Sequence, residues 1–228
     1  MPCVQGQNFA NAGGEIMRQK GSLTVISGFS GAGKGTIMRE LLKKHPEYAL
    51  SVSVTTRSPR PGEKDGVDYH FLTQQQFDRM VKEDGLLEHA GYVDHCYGTP
   101  RKYVKEAIAA GKDVILEIEV QGARQIKEKC PDAIFLFVTP PSAEELWHRL
   151  MGRGTETEEV IRERMQRASE EAGEMAWYDY LIVNDELEAA VELVHRTIQE
   201  AKNAPRRQAE RIAELTEELT KLSRSGRG

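Results

Sequence analysis

The stretch SGFSGAGKGT, residues 27 to 36, carries Gly28 and Gly33 with Lys34 directly after the second glycine. The apolar run LTVI precedes it and a stretch with helical spacing follows. These residue types in this pattern hold phosphate. The glycines let successive backbone N–H groups turn inward as an anion nest at a helix N-terminus, and the lysine adds a full positive charge. The candidate phosphate residues are therefore Gly28, Phe29, Ser30, Gly31, Ala32, Gly33, Lys34, Gly35 and Thr36. Gly35 stands where most such loops place a hydroxyl that ligates magnesium. Mg2+ keeps several waters and relies on substrate phosphate oxygens, so one missing protein ligand is compatible with binding. Thr36 falls one residue late for that role and suits a phosphate nearer the sugar.

A second group of residues suits another phosphate. Arg57 and Arg60 lie three apart across Ser58 and Pro59. Guanidinium groups match phosphate bidentately, and the proline limits how far the pair spreads. Glu117 and Glu119 alternate at the end of DVILEIEVQG, which predicts two carboxylates on one face at the C-terminal end of a strand, where ligands bind in parallel sheets. HRLMGRGTETEEVIRERMQR is dense in arginine without being uniformly basic. His89, His95 and His148 show no convergent arrangement that would make a nucleophile or general base.

Those groups need a scaffold. LTVIS, LSVSVTT, DVILEIE, AIFLFVT and YLIVN read as strands alternating with helical patterns, which predicts an α/β fold with a mainly parallel sheet. AIFLFVT and DVILEI are apolar at nearly every position, as in strands covered on both faces. Ile37, Met38, Leu41 and Leu42 form one helix face ending before Pro46. Thr99 with Pro100 reads as an N-cap with proline at the first helical position, Gly111 as a C-terminal glycine, and Ser142 with Glu145 as a capping box. In the tail, Ile212, Leu215, Leu219 and Leu222 make a seam that fits either a solvated terminal helix or a partner.

The chain has 228 residues and a net charge of −5, enough for one well-buried α/β domain with inserted subdomains. Its acidic balance argues against a broad nucleic-acid surface. No apolar run approaches the roughly 18 residues of a membrane span, and the N-terminus lacks a signal peptide's apolar core, so a cytoplasmic location is expected. Cys3, Cys96 and Cys130 have neither disulfide nor zinc spacing.

TTRSPRPGE followed by DYHF resembles the guanylate kinase family, and the loop's GKGT ending is similar to nucleoside monophosphate kinases generally. The likeness continues through LLEHAGYVDHCYGTP, LEIEVQG, LFVTPPS, GRGTETEEVIRERM and YLIVND, over residues 21 to 202. It implies a P-loop kinase fold: a mainly parallel five-stranded core sheet flanked by helices, with a small GMP-binding subdomain and a helical lid. On that basis residues 1–20 are a polar extension, 21–204 the kinase-like unit with the insert at 53–100 and the lid at 149–170, and 205–228 a charged helical tail. It implies Arg57, Arg60, Tyr69 and Tyr97 for the GMP phosphate, Glu88 with Ser53, Thr99 and Glu119 for the guanine base, and Glu117 beside the waters of Mg2+. Glu117 and Glu119 replace the Asp found at both places in many family members.

By the same resemblance Arg153 and Arg164, with Arg149 as a further candidate, close over the donor phosphates. Asn184 and Asp185 fall either at the adenine or in a structural turn. Lys34, Arg57, Arg153 and Arg164 are then the catalytic set, with ATP as donor, Mg2+ as cofactor and GMP as acceptor. No nucleic acid or membrane partner is implied, and oligomeric state and use of dGMP are left open. A catalytically silent binding module and a ribose bisphosphate kinase are the competing readings.

Overall fold

The computed structural model describes residues 21–92, 94–152 and 157–224. Its central sheet is built from β1 (Leu23–Gly28), β2 (Tyr48–Leu50), β7 (Asp113–Glu117), β8 (Ile134–Thr139) and β9 (Tyr180–Val183). The five strands run in the order β2-β7-β1-β8-β9, and every pairing is parallel. Val25 at the centre of β1 sits opposite Leu116 on one side and Phe135 on the other. Parallel strands need crossovers that cover both faces, which is why β8 is apolar at nearly every position, β7 is apolar between its two end carboxylates, and β1, β7 and β8 are all buried throughout their middles.

The crossovers include α1 (Lys34–Lys44), α3 (Arg101–Ala109), α4 (Val120–Lys129), α5 (Ala143–Met151) and α6 (Glu158–Ala172), and α7 (Leu187–Lys202) follows the last strand. Helix α1 buries Ile37, Met38 and Leu41 and half-buries Leu42, and it packs on α7 through this face. Ser142 caps α5 by accepting from the Glu145 N–H at 3.0 Å, and Gly111 follows α3 with φ 83°. Asp113 pins the start of β7: it accepts from the Ser22 N–H and hydroxyl and pairs with Lys202 at 2.8 Å.

A smaller four-stranded sheet of order β4-β3-β6-β5 comprises β3 (Val54–Thr55), β4 (His70–Phe71), β5 (Leu86–Tyr92) and β6 (His95–Pro100). Helix α2 (Gln74–Lys82) begins with a full capping box between Thr73 and Gln76 and buries Phe77 in this sheet's own small core with Val54 and Leu86. LSVSVTT, expected as one strand, is two. Tyr48–Leu50 pairs with β7 in the large sheet and Val54–Thr55 with β6 and β4 in the small one, so Ser51–Ser53 bridge the two sheets.

The Thr99–Pro100 pair also departs from expectation. Thr99 belongs to β6 and its hydroxyl donates to Glu88, while Pro100 precedes α3 as the capping residue and no side chain caps that helix. Beyond the 3-10 turn Pro205–Arg207, α8 (Ala209–Arg224) leaves Ile212, Leu215, Leu219 and Leu222 exposed. No helix among the described residues is long and apolar enough to cross a membrane.

Candidate active site

Strand β1 delivers the glycine loop to the N-terminus of α1. Gly31 and Gly33 both adopt φ 93°, in the left-handed region that glycine enters without strain. Gly33 has a second constraint: a Cβ there would come within 2.4 Å of Asn184 Nδ2. That same amide donates to the Ala32 carbonyl at 2.7 Å, from a residue that is itself buried. Asn184 therefore props the loop from the end of β9. Lys34 folds back over the loop, its Nζ donating to the carbonyls of Gly28 at 2.6 Å and Phe29 at 3.3 Å. Phe29 anchors the loop by packing edge-on against Phe137 at 5.0 Å.

The loop opens on a cavity of about 480 Å3. Phe29, Ser30, Gly31, Gly33, Lys34, Gly35 and Thr36 line it; Ala32 is fully buried and contributes its carbonyl to Asn184 instead. Helix α6 supplies the opposite wall with Arg164, Arg167 and Glu171, spaced three and four residues apart and so on one helical stripe. Arg164 Nη1 donates to the Ser30 hydroxyl at 2.8 Å, which ties this helix to the loop. The sequence reading had only Arg164 here; the i, i+3, i+7 spacing is the signal that would have added Arg167 and Glu171. Arg39, one α1 turn beyond Gly35, completes the cationic lining and was likewise missed.

Carboxylates balance these cations. Glu117 ends β7 and faces the loop: a Cβ on Gly35 would lie 3.9 Å from its Oε1. Burial raises the Glu117 pKa, opposed by the Lys34 charge. Glu171 is pushed up to about 7, first by burial and then by Glu119, so the charge of this cavity changes across neutral pH. Glu119 is not in the strand with Glu117, as expected from alternation. The strand stops at Glu117, and Glu119 is the N-cap residue of α4. Both carboxylates still line the site.

A second cavity of about 200 Å3 adjoins the first and is lined by Lys34, Ser53, Tyr69, Glu117 and Glu119, among others. Lys34, Glu117 and Glu119 thus face both spaces. Arg57 stands behind Tyr69, its guanidinium 5.4 Å from that ring's centroid, and Tyr97 packs on Tyr69 at 5.9 Å. Its fork is bidentate to Glu63, at 3.0 and 2.9 Å, and Glu63 also accepts from the Arg60 N–H at 2.7 Å. One carboxylate therefore shapes the whole turn and is itself held below the usual carboxylate range by Arg57. Glu63 ends the TTRSPRPGE motif, three residues after Arg60, and its spacing was the available clue. The Arg60 side chain is exposed.

Glu88 on β5 is 4% exposed. Its Oε1 accepts the Thr99 hydroxyl at 2.7 Å. Its Oε2 occupies the space over Gly122 of α4, where a Cβ would approach within 2.5 Å. Burial raises the Glu88 pKa, partly offset by the Thr99 bond. Glu88 and Thr99 are thus brought together, but neither lines the two cavities. Arg149 pairs with Glu145 along α5 at 2.7 Å, and Arg153 lies outside the described residues.

An anion nest facing two adjoining cavities lined by both cations and carboxylates suits two phosphorylated ligands meeting at Lys34. Comparisons with known proteins agree. The guanylate kinase family profile matches residues 20–201. The chain is 50% identical over 184 residues to a guanylate kinase of Latilactobacillus sakei, covering 80% of this chain and 91% of that protein. It is 52% identical over 184 residues to one of Streptococcus thermophilus, covering 80% and 88%. The crystal structure of guanylate kinase from Anaplasma phagocytophilum superposes with a TM-score of 0.67 at 30% identity, covering 82% of this chain and 88% of that one. By sequence, by fold and by the phosphate loop its strands present, the chain belongs to the guanylate kinase family, whose members phosphorylate GMP at the expense of ATP.

Proposed function

We propose that the larger cavity takes the triphosphate of ATP, the smaller one GMP, and that the γ-phosphoryl group passes between them by direct in-line transfer. The observation that carries this division is the shared lining: Lys34, Glu117 and Glu119 face both spaces. A phosphate oxygen of GMP attacks the γ-phosphorus, the bond to the β–γ bridging oxygen breaks, and ADP leaves with that electron pair. A phosphate nucleophile is already anionic, so no general base is required, and among the described residues no histidine lines either cavity.

Lys34 holds the donor phosphates; Arg57 and Arg60, with Tyr69 and Tyr97, take the acceptor phosphate once Arg57 exchanges Glu63 for it. Ser53, Thr99, Glu88 and Glu119 serve the base. Arg164 on α6, with Arg153, closes over the transferred group, where one well-placed arginine supplies about 10³–10⁵ in rate. Residues 53–100 then act as the acceptor subdomain and 149–170 as the lid. The oxygen-only donor set of Glu117, water and substrate phosphates fits Mg2+, and the room beside Gly35 faces Glu117. Mg2+ would be held there through water by Glu117 and would neutralise charge on the β and γ oxygens.

An ADP-release assay across GMP, dGMP, AMP, dTMP and UMP tests the substrate assignment. GMP should give the highest kcat/KM, and equal or greater turnover of AMP, dTMP or UMP would overturn it. Inversion at phosphorus from a chiral γ-thiophosphate donor is expected for a single in-line step; retention would require a phosphoryl-enzyme instead.

The space over Gly122 gives a separate expectation. Gly122→Ala pushes a methyl group into the Glu88 carboxylate and should raise KM for GMP about tenfold, roughly 1.4 kcal/mol, with KM for ATP unchanged. Equal changes in both constants would place the damage in the fold rather than in the base pocket.

A further inference from the structure

Three side chains from three parts of the chain converge at the end of α1 remote from the loop. His45 is the C-cap residue of α1, Glu47 stands just before β2, and His195 projects from α7. The two imidazole rings stack with centroids 3.7 Å apart and planes 13° from parallel. Both Nδ1 atoms face one carboxylate oxygen. Glu47 Oε1 lies 3.5 Å from His45 Nδ1 and 3.9 Å from His195 Nδ1. A donor atom from each residue falls within 4.8 Å of the other two.

Such separations resemble the edges of a tetrahedral ligand set. With bonds of about 2.0–2.1 Å, neighbouring ligand atoms sit about 3.3–3.4 Å apart, so the ligand atoms need close by no more than about 1.5 Å, and one ring must also turn out of the stack so that both in-plane lone pairs meet the metal. Two imidazoles with one carboxylate suit zinc and its first-row neighbours, whereas Mg2+ and Ca2+ take oxygen ligands. The C-terminus of α1 adds the negative end of its dipole, which favours a cation at His45. The three side chains are 19, 44 and 23% exposed for His45, Glu47 and His195, which leaves a face for a water ligand.

Tyr48 acts beside the cluster rather than in it. Its hydroxyl lies 2.9 Å from His195 Nδ1 and accepts from Gln199 Nε2 at 3.0 Å, and burial keeps the phenol protonated far above its usual range. A metal on His195 Nδ1 displaces one neutral hydrogen bond, at a cost of about 1 kcal/mol.

The geometry points to a divalent transition-metal site of the zinc type, formed by His45, Glu47 and His195 and separate from the nucleotide cavities. The 11 residues of α1 place it about 16 Å from Lys34. Its effect is to fasten α1, the edge strand β2 and α7 to one another.

Calorimetric titration of zinc chloride into the nucleotide-free full chain tests this, with Co(II) absorption as the reporter of tetrahedral coordination. One equivalent should bind with a Kd of about 1 µM or tighter, give intense tetrahedral cobalt bands and raise Tm, where magnesium does not. His45→Ala and His195→Ala should each weaken that binding at least about tenfold, while kinase activity in the same preparations reports that they are folded. His45→Gln serves if the alanine variant loses activity. A Cys3→Ser, Cys96→Ser, Cys130→Ser variant should keep the site. Absence of binding, an equivalent that survives both histidine changes, or one that disappears with the cysteines would overturn the proposal.

Discussion

Lys34→Met should lower kcat for phosphoryl transfer by about 10³-fold or more, because it removes the one cation among the described residues that faces both cavities. The ammonium is held in place before any nucleotide arrives. It donates to the Gly28 and Phe29 carbonyls, and an ammonium has three donors, so two bonds set its position while charge and a further N–H remain for phosphate. Methionine matches the length of the chain without its charge, and Asn184, Phe29 and the α1 face still support the loop. Far-ultraviolet circular dichroism and Tm should therefore change little. The measurement is kcat and KM for each nucleotide: a fall confined to kcat assigns Lys34 to the transition state, and a rise confined to the KM for ATP assigns it to ground-state binding. Retention of kcat within about tenfold would remove Lys34 from the transfer step.

Local pattern and tertiary context contributed differently to what could be read in advance. The phosphate loop is a contiguous motif between an apolar strand and an amphipathic helix, so its position, its glycine conformations and Lys34 follow from adjacent residues. The parallel sheet follows from runs such as AIFLFVT and DVILEI that are apolar at nearly every position. LSVSVTT misled because its alternation continues through Ser51–Ser53, whereas strand identity depends on hydrogen-bond partners, and these change from β7 to β6 within three residues. Thr99 misled in a similar way: its sequence neighbours read as a helix cap, but the hydroxyl finds Glu88 on the adjacent strand. The spacing of Arg57 and Arg60 suggests a phosphate pair, while the Glu63 that binds the Arg57 fork and the Arg60 N–H is visible in the sequence only as an uncommitted acid. His45 and His195 are separated by most of the chain, and nothing short of the fold brings their rings together.

On the proposed assignment of Glu88 to the guanine base, Glu88→Gln should cut the preference for GMP over AMP by about 10²-fold. Guanine presents two adjacent donors, N1–H and the 2-amino group, and a carboxylate accepts both, whereas adenine leaves a buried carboxylate unpaired. In the variant the carboxamide keeps one oxygen to accept the Thr99 hydroxyl and turns an N–H2 toward a donor, which removes a charge-assisted bond worth about 1.5–3 kcal/mol. Folding should not suffer. The Glu88 pKa is raised by burial, so its favourable contribution to stability is present at low pH and is lost as pH rises through that raised value. Glutamine carries no such penalty, and Tm at neutral pH should stay level or rise. The combination of lost selectivity, unchanged KM for ATP and undiminished Tm separates base reading from a general defect. If selectivity survives while turnover falls, the carboxylate on β5 organises Thr99 and Gly122 without touching the base, and discrimination must then come from Ser53 and Glu119, the two base-pocket candidates that line the smaller cavity.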